Sequence, residues 1–256
     1  MLLLNKFYTT SINLDDIFGL YSFVRKGKSG SVIKNTLDII ATNVVLNSEI
    51  ARLTLTIPNC GGFSNVSEAF SIELITSLFN ATNFVTERQV QYKYQCKKID
   101  FLCTIDGNQV GVSVSRSAQY KELCDEQGKY TFLIAYRQIR KKLDGLLAAR
   151  AGITPAHLYD KSILHVFAEN DFIAQLLVNA FPQAAKDMQV EDEISLLITI
   201  CGNRKLYDDD LSIFGDIIRP TPTNLKKIGL IYHTGGNSRK VRNSGLTLHP
   251  SLSKVF

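Results

Sequence analysis

The sequence predicts an α/β domain in which helices flank a mixed central sheet. The chain has 256 residues and is 45% hydrophobic, which is enough for one domain with a sizeable core. Between about residues 65 and 200, helix-period and strand-period segments follow one another in the order α-β-β-β-α-β-α-β. That order implies parallel and antiparallel pairs in one sheet, with helices on both faces.

The first 60 residues are predicted to form an extension that packs on the core. Leu14, Ile17, Phe18 and Tyr21 recur at helical spacing behind Asn13 or Asp15, so a short helix is expected there. Branched residues at 39–40 and 53–57 predict strands. The segment 58–62 contains proline and a glycine pair and is expected to break the chain.

The core domain is predicted to span residues 61–218. Its periodic segments predict helices at 65–80, 131–150 and 171–180, and strands at 85–94, 99–105, 109–115, 163–168 and 194–200. Asp106, Gly107 and Asn108 predict a tight hairpin turn between the second and third strands. His165 lies inside an apolar strand and is predicted to be a core histidine.

Residues 219–256 are predicted to form a basic tail. After Asp216 the sequence contains no acidic residue, but it contains seven cations: Arg219, Lys226, Lys227, Arg239, Lys240, Arg242 and Lys254. Such a tail favours a phosphate-bearing partner, because lysine and arginine release counterions from a polyanion. A solvated tail without a partner is the alternative.

Composition also predicts the environment of the protein. The apolar runs are strand-length, well short of the roughly 20 residues that cross a membrane. The first residues lack the features of a secretory or mitochondrial signal. Five widely spaced cysteines without a CxxC pair favour a reducing compartment. We therefore expect an intracellular protein, nuclear or cytoplasmic, without a membrane partner.

Two acidic residues are candidates for a site. Glu68 shares a helix face with Ile72, Ile75 and Phe79, so it is expected to face the sheet, unlike Glu73. A capping box formed by Asn65 and Glu68 is the alternative. Asp100 lies on the face opposite Ile99 and its apolar neighbours on the second strand.

The hairpin turn decides what Asp100 meets on the third strand. A turn at residues 106–107 places it opposite Ser113, and a turn at 107–108 places it opposite Ser115. An aspartate neutralised by Lys97 or Lys98 is the alternative reading of this position.

Glu68, Asp100 and the third strand resemble the PD-(D/E)XK nuclease-like superfamily over about residues 62–202. The resemblance implies a restriction-endonuclease-like core in which Glu68 and Asp100 bind Mg²⁺. Ser113 then stands where the family has an acid, and Ser115 where it has a lysine. The chain also resembles an uncharacterised eukaryotic family of that fold, in the segments 61–62, 67–69, 111–116, 141–143 and 163–166 and at Asp100.

The two serines change the expected chemistry. Two acids with two hydroxyls hold Mg²⁺ weakly, and without a lysine the transition-state charge is not neutralised. Lys142, or its neighbour Lys141, is expected to reach across from the following helix, whereas Arg116 points to the valine face. We therefore expect a nucleic-acid-binding or assembly module with an inactive metal site. The alternatives are an Mg²⁺-dependent nuclease that uses Lys142 and a protein-interaction scaffold.

A basic stripe on the helix at 131–150 is the candidate nucleic-acid interface. Arg137, Arg140 and Lys141 recur at steps of three and four residues. Together with Arg116 and the tail residues Arg239, Lys240 and Arg242, they suit a phosphate backbone, DNA or RNA alike. An ordinary solvated helix face is the alternative.

Overall fold

The protein is described by a computed structural model that covers residues 1–25, 29–56, 64–119, 124–126 and 128–215. In this part of the chain eight strands form one sheet. They are β1 (Leu2–Leu4), β2 (Tyr8–Ile12), β3 (Val32–Ile39), β4 (Thr82–Thr86), β5 (Phe101–Ile105), β6 (Asn108–Ser117), β7 (Lys161–Ala168) and β8 (Ile194–Ile200).

The strand order is β1-β2-β3-β8-β7-β6-β5-β4. The four central strands, β3, β8, β7 and β6, run parallel to one another. The outer pairs on both sides are antiparallel. The predicted mixed α/β sheet is thereby confirmed. The N-terminal segment, expected to pack on the core, contributes three strands to the same sheet.

Six α-helices accompany the sheet in the described residues. They are α1 (Leu14–Val24), α2 (Glu49–Thr54), α3 (Asn65–Phe79), α4 (Phe132–Gly152), α5 (Asp171–Met188) and α6 (Arg204–Tyr207). The buried side chains of α1, α3 and α6 form one apolar cluster with one face of the sheet. Those of α4 and α5 form a second cluster with the other face. The fold therefore has three layers.

Three sequence predictions need correction. The strand predicted at 85–94 ends at Thr86, because a turn follows in which Gln89 donates its backbone N–H to the carbonyl of Thr86. The strand predicted at 53–57 is wrong for its described residues: 53–54 end α2, whose N-cap is Ser48, and 55–56 form a turn, whereas residue 57 lies outside the described residues. The helix predicted at 171–180 continues through Pro182 to Met188, because Ala184 and Ala185 extend its buried face.

The β5–β6 hairpin has the first of the two predicted registers. Ile105 pairs with Asn108 and Phe101 pairs with Val112. Asp106 and Gly107 form the turn with φ values of 49° and 76°. Positive φ at both central positions is the requirement of the type I′ hairpin turn, which Asp-Gly satisfies. The pairing ends at Phe101, and the backbone N–H of Asp100 donates to the carbonyl of Val112, so Asp100 lies beside Ser113 at the end of the hairpin.

The chain divides into two units, Met1–Ile218 and Arg219–Phe256. The second unit, with the basic tail, lies outside the described residues. Among the described residues, no helix is long and apolar enough to span a membrane.

Candidate functional site

The candidate site lies where β6 extends past β5. Val114 and the three residues after it pair with β7 on one side. On the other side, β5 begins only at Phe101, opposite Val112. The N–H and C=O of one strand residue point to the same side, so both polar groups of Val114 face this open edge. They need partners from outside the sheet.

Two charged side chains supply those partners. The backbone N–H of Val114 donates to Oδ2 of Asp100 at 2.6 Å. Nζ of Lys142 donates to the carbonyl oxygen of Val114 at 3.0 Å. The side chains of Asp100 and Lys142 thus bind Val114 where the backbone of a longer β5 would have paired with it. The backbone N–H groups of a strand point along the sheet toward the neighbouring strand. The carboxylate that accepts from Val114 therefore lies at the edge of the sheet.

Helix α4 also binds the next outward-facing residue of β6, Arg116. Gln138, one helical turn before Lys142, donates Nε2 to the carbonyl of Arg116 at 3.1 Å and to Oγ of Ser115 at 3.3 Å. Four helical residues rise about 6 Å and two strand residues about 6.7 Å, so the spacings match. Gln138 and Lys142 therefore bind successive outward carbonyls of β6.

Glu68 reaches the same place from the opposite face. It is buried in the first turn of α3, close enough to Asp100 to lower the pKa of that carboxyl. Its Oε1 also accepts from the hydroxyl of Ser64. The helix N-cap is Ser64, and Asn65 is the first helical residue, so the alternative of a capping box formed by Asn65 and Glu68 is wrong. The helix N-terminus favours negative charge at this point.

The environment sets the charge state of Asp100. Burial raises the pKa of the Asp100 carboxyl. Lys142, the N–H of Val114 and hydrogen bonds from Ser113 and Glu68 act in the opposite direction. Lys142 is the cation whose charge lowers the pKa of Asp100.

The donor set fits Mg²⁺ only as a weak site. Two carboxylates and the Ser113 hydroxyl are oxygen ligands of the type that Mg²⁺ accepts. Among the described residues, no three Asp, Glu, His or Cys side chains converge as metal ligands. Water would have to complete the coordination.

The other predicted residues have different surroundings. Ser115 contacts Gln138, and Lys97 and Lys98 are exposed, so Lys142 is the cation that acts on Asp100. Arg116 is on the valine face, where its guanidinium donates to the carbonyls of Leu206 and Tyr207 at the end of α6.

The basic stripe on α4 is exposed, as Arg137, Arg140 and Lys141 all face solvent. Arg140 also donates to the hydroxyl of Tyr136. The tail residues Arg239, Lys240 and Arg242 lie outside the described residues.

Comparisons with known proteins give one match and no family. No family model matches the chain, and no solved structure matches it. A stretch of 142 residues, 55% of this chain, is 30% identical to the AAC-rich mRNA clone AAC4 protein of Dictyostelium discoideum. The match covers 20% of that protein, so the chain spans about a fifth of its length. The nuclease-like relationship stays a prediction.

Sequence reasoning missed two buried polar contacts. Gln138 was identifiable only as the residue one turn before Lys142. Glu73 is as buried as Glu68, but under the N-terminal segment: it accepts from the backbone N–H groups of Asn47 at 2.9 Å and Ser48 at 2.8 Å, and from the hydroxyl of Tyr8.

His165 is a core residue, as predicted. Its ring is fully buried and bonded to Ser71 at 2.7 Å and Thr199 at 2.8 Å. Burial lowers its pKa to about 3.

Proposed function

We propose that this domain is a nucleic-acid-binding module built on a nuclease-like fold whose acidic site serves structure. One observation carries the proposal: Asp100 and Lys142, the acid and the cation that phosphodiester chemistry would need, are bonded to the backbone of Val114. Ser113 and Ser115 stand where an acid and a lysine would complete a metal site. The remaining carboxyl, Glu68, lies near Asp100 and accepts a hydrogen bond from the hydroxyl of Ser64.

The binding surface is the exposed side of α4. Arg137 and Lys141 are one turn apart and each immediately precedes a residue that binds β6, namely Gln138 and Lys142. They therefore form a row of positive charge directly beside the site. Such a row favours a phosphate backbone through counterion release. Asp144 lies one turn beyond and weakens the field, so the affinity should be modest and sensitive to salt.

A second candidate is an Mg²⁺-dependent phosphodiesterase. The observation that favours it is the approach of Glu68 and Lys142 to Asp100 from opposite faces of the sheet. In that case Asp100 and Glu68 would hold the ion, which supplies Lewis-acid activation of water. Ser113 would orient a water molecule, and Lys142 would stabilise charge on the phosphate.

A gel assay separates the two. The full chain is incubated with labelled single- and double-stranded DNA and RNA, in Mg²⁺, Mn²⁺ or EDTA, at two salt concentrations. We expect shifts that weaken with salt, persist in EDTA and produce no cleavage. Metal-dependent cleavage that Asp100→Ala abolishes would establish the phosphodiesterase instead.

Charge reversal tests the surface itself. Arg137→Glu with Lys141→Glu should remove the shift without unfolding the protein, because both side chains are exposed. Lys205→Glu is the matched control, since Lys205 is exposed on α6, which packs with α3 on the other side of the sheet. The absence of any shift with the wild-type chain would refute nucleic-acid binding and favour a protein-interaction scaffold.

A further inference from the structure

The first turns of α4 present apolar side chains to solvent beside the basic row. Phe132 is 39% exposed and Leu133 is 52% exposed. The ring of Phe132 stacks on that of Tyr136, with centroids 6.5 Å apart and planes inclined by 26°. Neither the core nor the candidate site uses these surfaces.

The helix arranges these residues in three parallel rows. Successive residues are about 100° apart around the helix axis, so residues four apart form a row. Around the axis, the first row is aromatic (Phe132 and Tyr136), the second is basic (Arg137 and Lys141), and the third consists of Gln138 and Lys142. The third row binds β6, and the buried Ile139 lies between the third and the first. The basic row therefore lies between the aromatic row and the candidate site.

The aromatic row is held in place. The hydroxyl of Tyr136 donates to Oδ2 of Asp187 on α5 at 2.6 Å, and Arg140 donates to the same hydroxyl at 3.3 Å. Phe132 rests on this fixed ring. A stacking surface that is already ordered costs little entropy on binding.

We propose that α4 binds a single-stranded nucleic acid, with phosphates along Arg137 and Lys141 and a base stacked on Phe132. This inference rests on the proposed function and specifies its ligand. Aromatic rings beside a cationic track are the combination that binds single strands, because every unpaired base offers a flat face. A duplex has no free base faces, so it would use the cations and leave the ring of Phe132 without a partner.

Intrinsic fluorescence tests the stacking directly. The chain contains no tryptophan, so Phe132→Trp introduces a single one at the proposed contact. Phe172→Trp is the matched control: Phe172 is 64% exposed in the first turn of α5, whereas Tyr136 contacts Asp187 near the last turn of α5. We expect oligo(dT) and oligo(U) to quench the tryptophan at 132, a duplex of equal length to leave it unchanged, and neither to affect the tryptophan at 172.

Affinity gives the second readout. Phe132→Ala should weaken binding of single strands at least about fivefold and leave duplex binding unchanged, while Phe172→Ala should change neither. Salt-sensitive binding that Phe132→Ala does not alter would overturn the stacking proposal and leave the proposed function intact. No binding of any nucleic acid would overturn both. The oligo(dT) and oligo(U) titrations also determine whether DNA or RNA is preferred.

Discussion

The backbone N–H of Val114 donates a 2.6 Å hydrogen bond to the carboxylate of Asp100. This bond continues the β5–β6 ladder one step beyond the last paired residues, with a side chain in place of backbone. The same valine accepts from Lys142. Asp100 and Lys142 therefore complete the hydrogen bonding of the sheet edge, and replacing either residue should lower the free energy of unfolding.

Asp100→Ala should lower the free energy of unfolding by about 1–3 kcal/mol, because it leaves the N–H of Val114 without its acceptor. Asp100→Asn keeps an oxygen acceptor and should retain most of the stability. Urea denaturation of both variants measures the difference. Equal losses in the two variants would mean that the charge, and not the hydrogen bond, is what stabilises the edge.

Lys142→Met should also destabilise the fold, by about 1–3 kcal/mol, since the carbonyl of Val114 loses its donor and Asp100 its counter-charge. Lys141→Met is the control, because Lys141 is exposed and a surface change of this kind stays within about 0.5 kcal/mol. The midpoint of urea unfolding compares them. Indistinguishable midpoints would exclude a structural role for Lys142.

Gly111→Ala should be destabilising by about 1–3 kcal/mol. A Cβ at this position would lie 2.5 Å from the ring of Tyr159, which is buried against β6. Gly145→Ala on α4 has no atom within 4 Å and should stabilise the helix by about 0.5–1 kcal/mol. Thermal unfolding should therefore show shifts of opposite sign, and a stable Gly111→Ala variant would contradict the close packing of Tyr159.

The buried ring of His165 should make the fold less stable in acid. Its pKa falls from 6.5 to about 3 in the folded protein, so the unfolded state binds more protons between these values. The contribution of the neutral His165 ring to the free energy of unfolding is therefore fully present above pH 6.5. It decreases as the pH falls toward 3, by up to about 1.4 kcal/mol per pH unit.

His165→Gln lacks this titration. The difference in unfolding free energy between wild type and His165→Gln should therefore shrink as the pH falls from 6.5 to 4. Urea denaturation at a series of pH values measures it, and a difference that is independent of pH would show that the ring binds its proton equally in the folded and unfolded states.

The sequence by itself determined the class of the fold and much of its detail. Apolar periodicity places α3, α4, β7 and β8 within a few residues of their observed bounds, because each has a long buried face that no other conformation would satisfy. The sequence predicted a two-residue turn within residues 106–108 and left two registers open, and the structure has the turn at Asp106 and Gly107, both with positive φ. In both registers Asp100 was expected on the serine face of the third strand.

Only the tertiary structure decided what the polar residues do. The groups around Asp100 come from α3, β6 and α4, which are distant from one another in sequence. No local sequence pattern indicates that β6 extends beyond the start of β5. Glu68 and Glu73 are both buried on α3, but Glu73 binds Tyr8, Asn47 and Ser48, whereas Glu68 lies near Asp100. Periodicity reports which face of an element is buried, because burial follows from hydrophobicity alone; the partner of a buried charge depends on the packing of elements that the sequence separates.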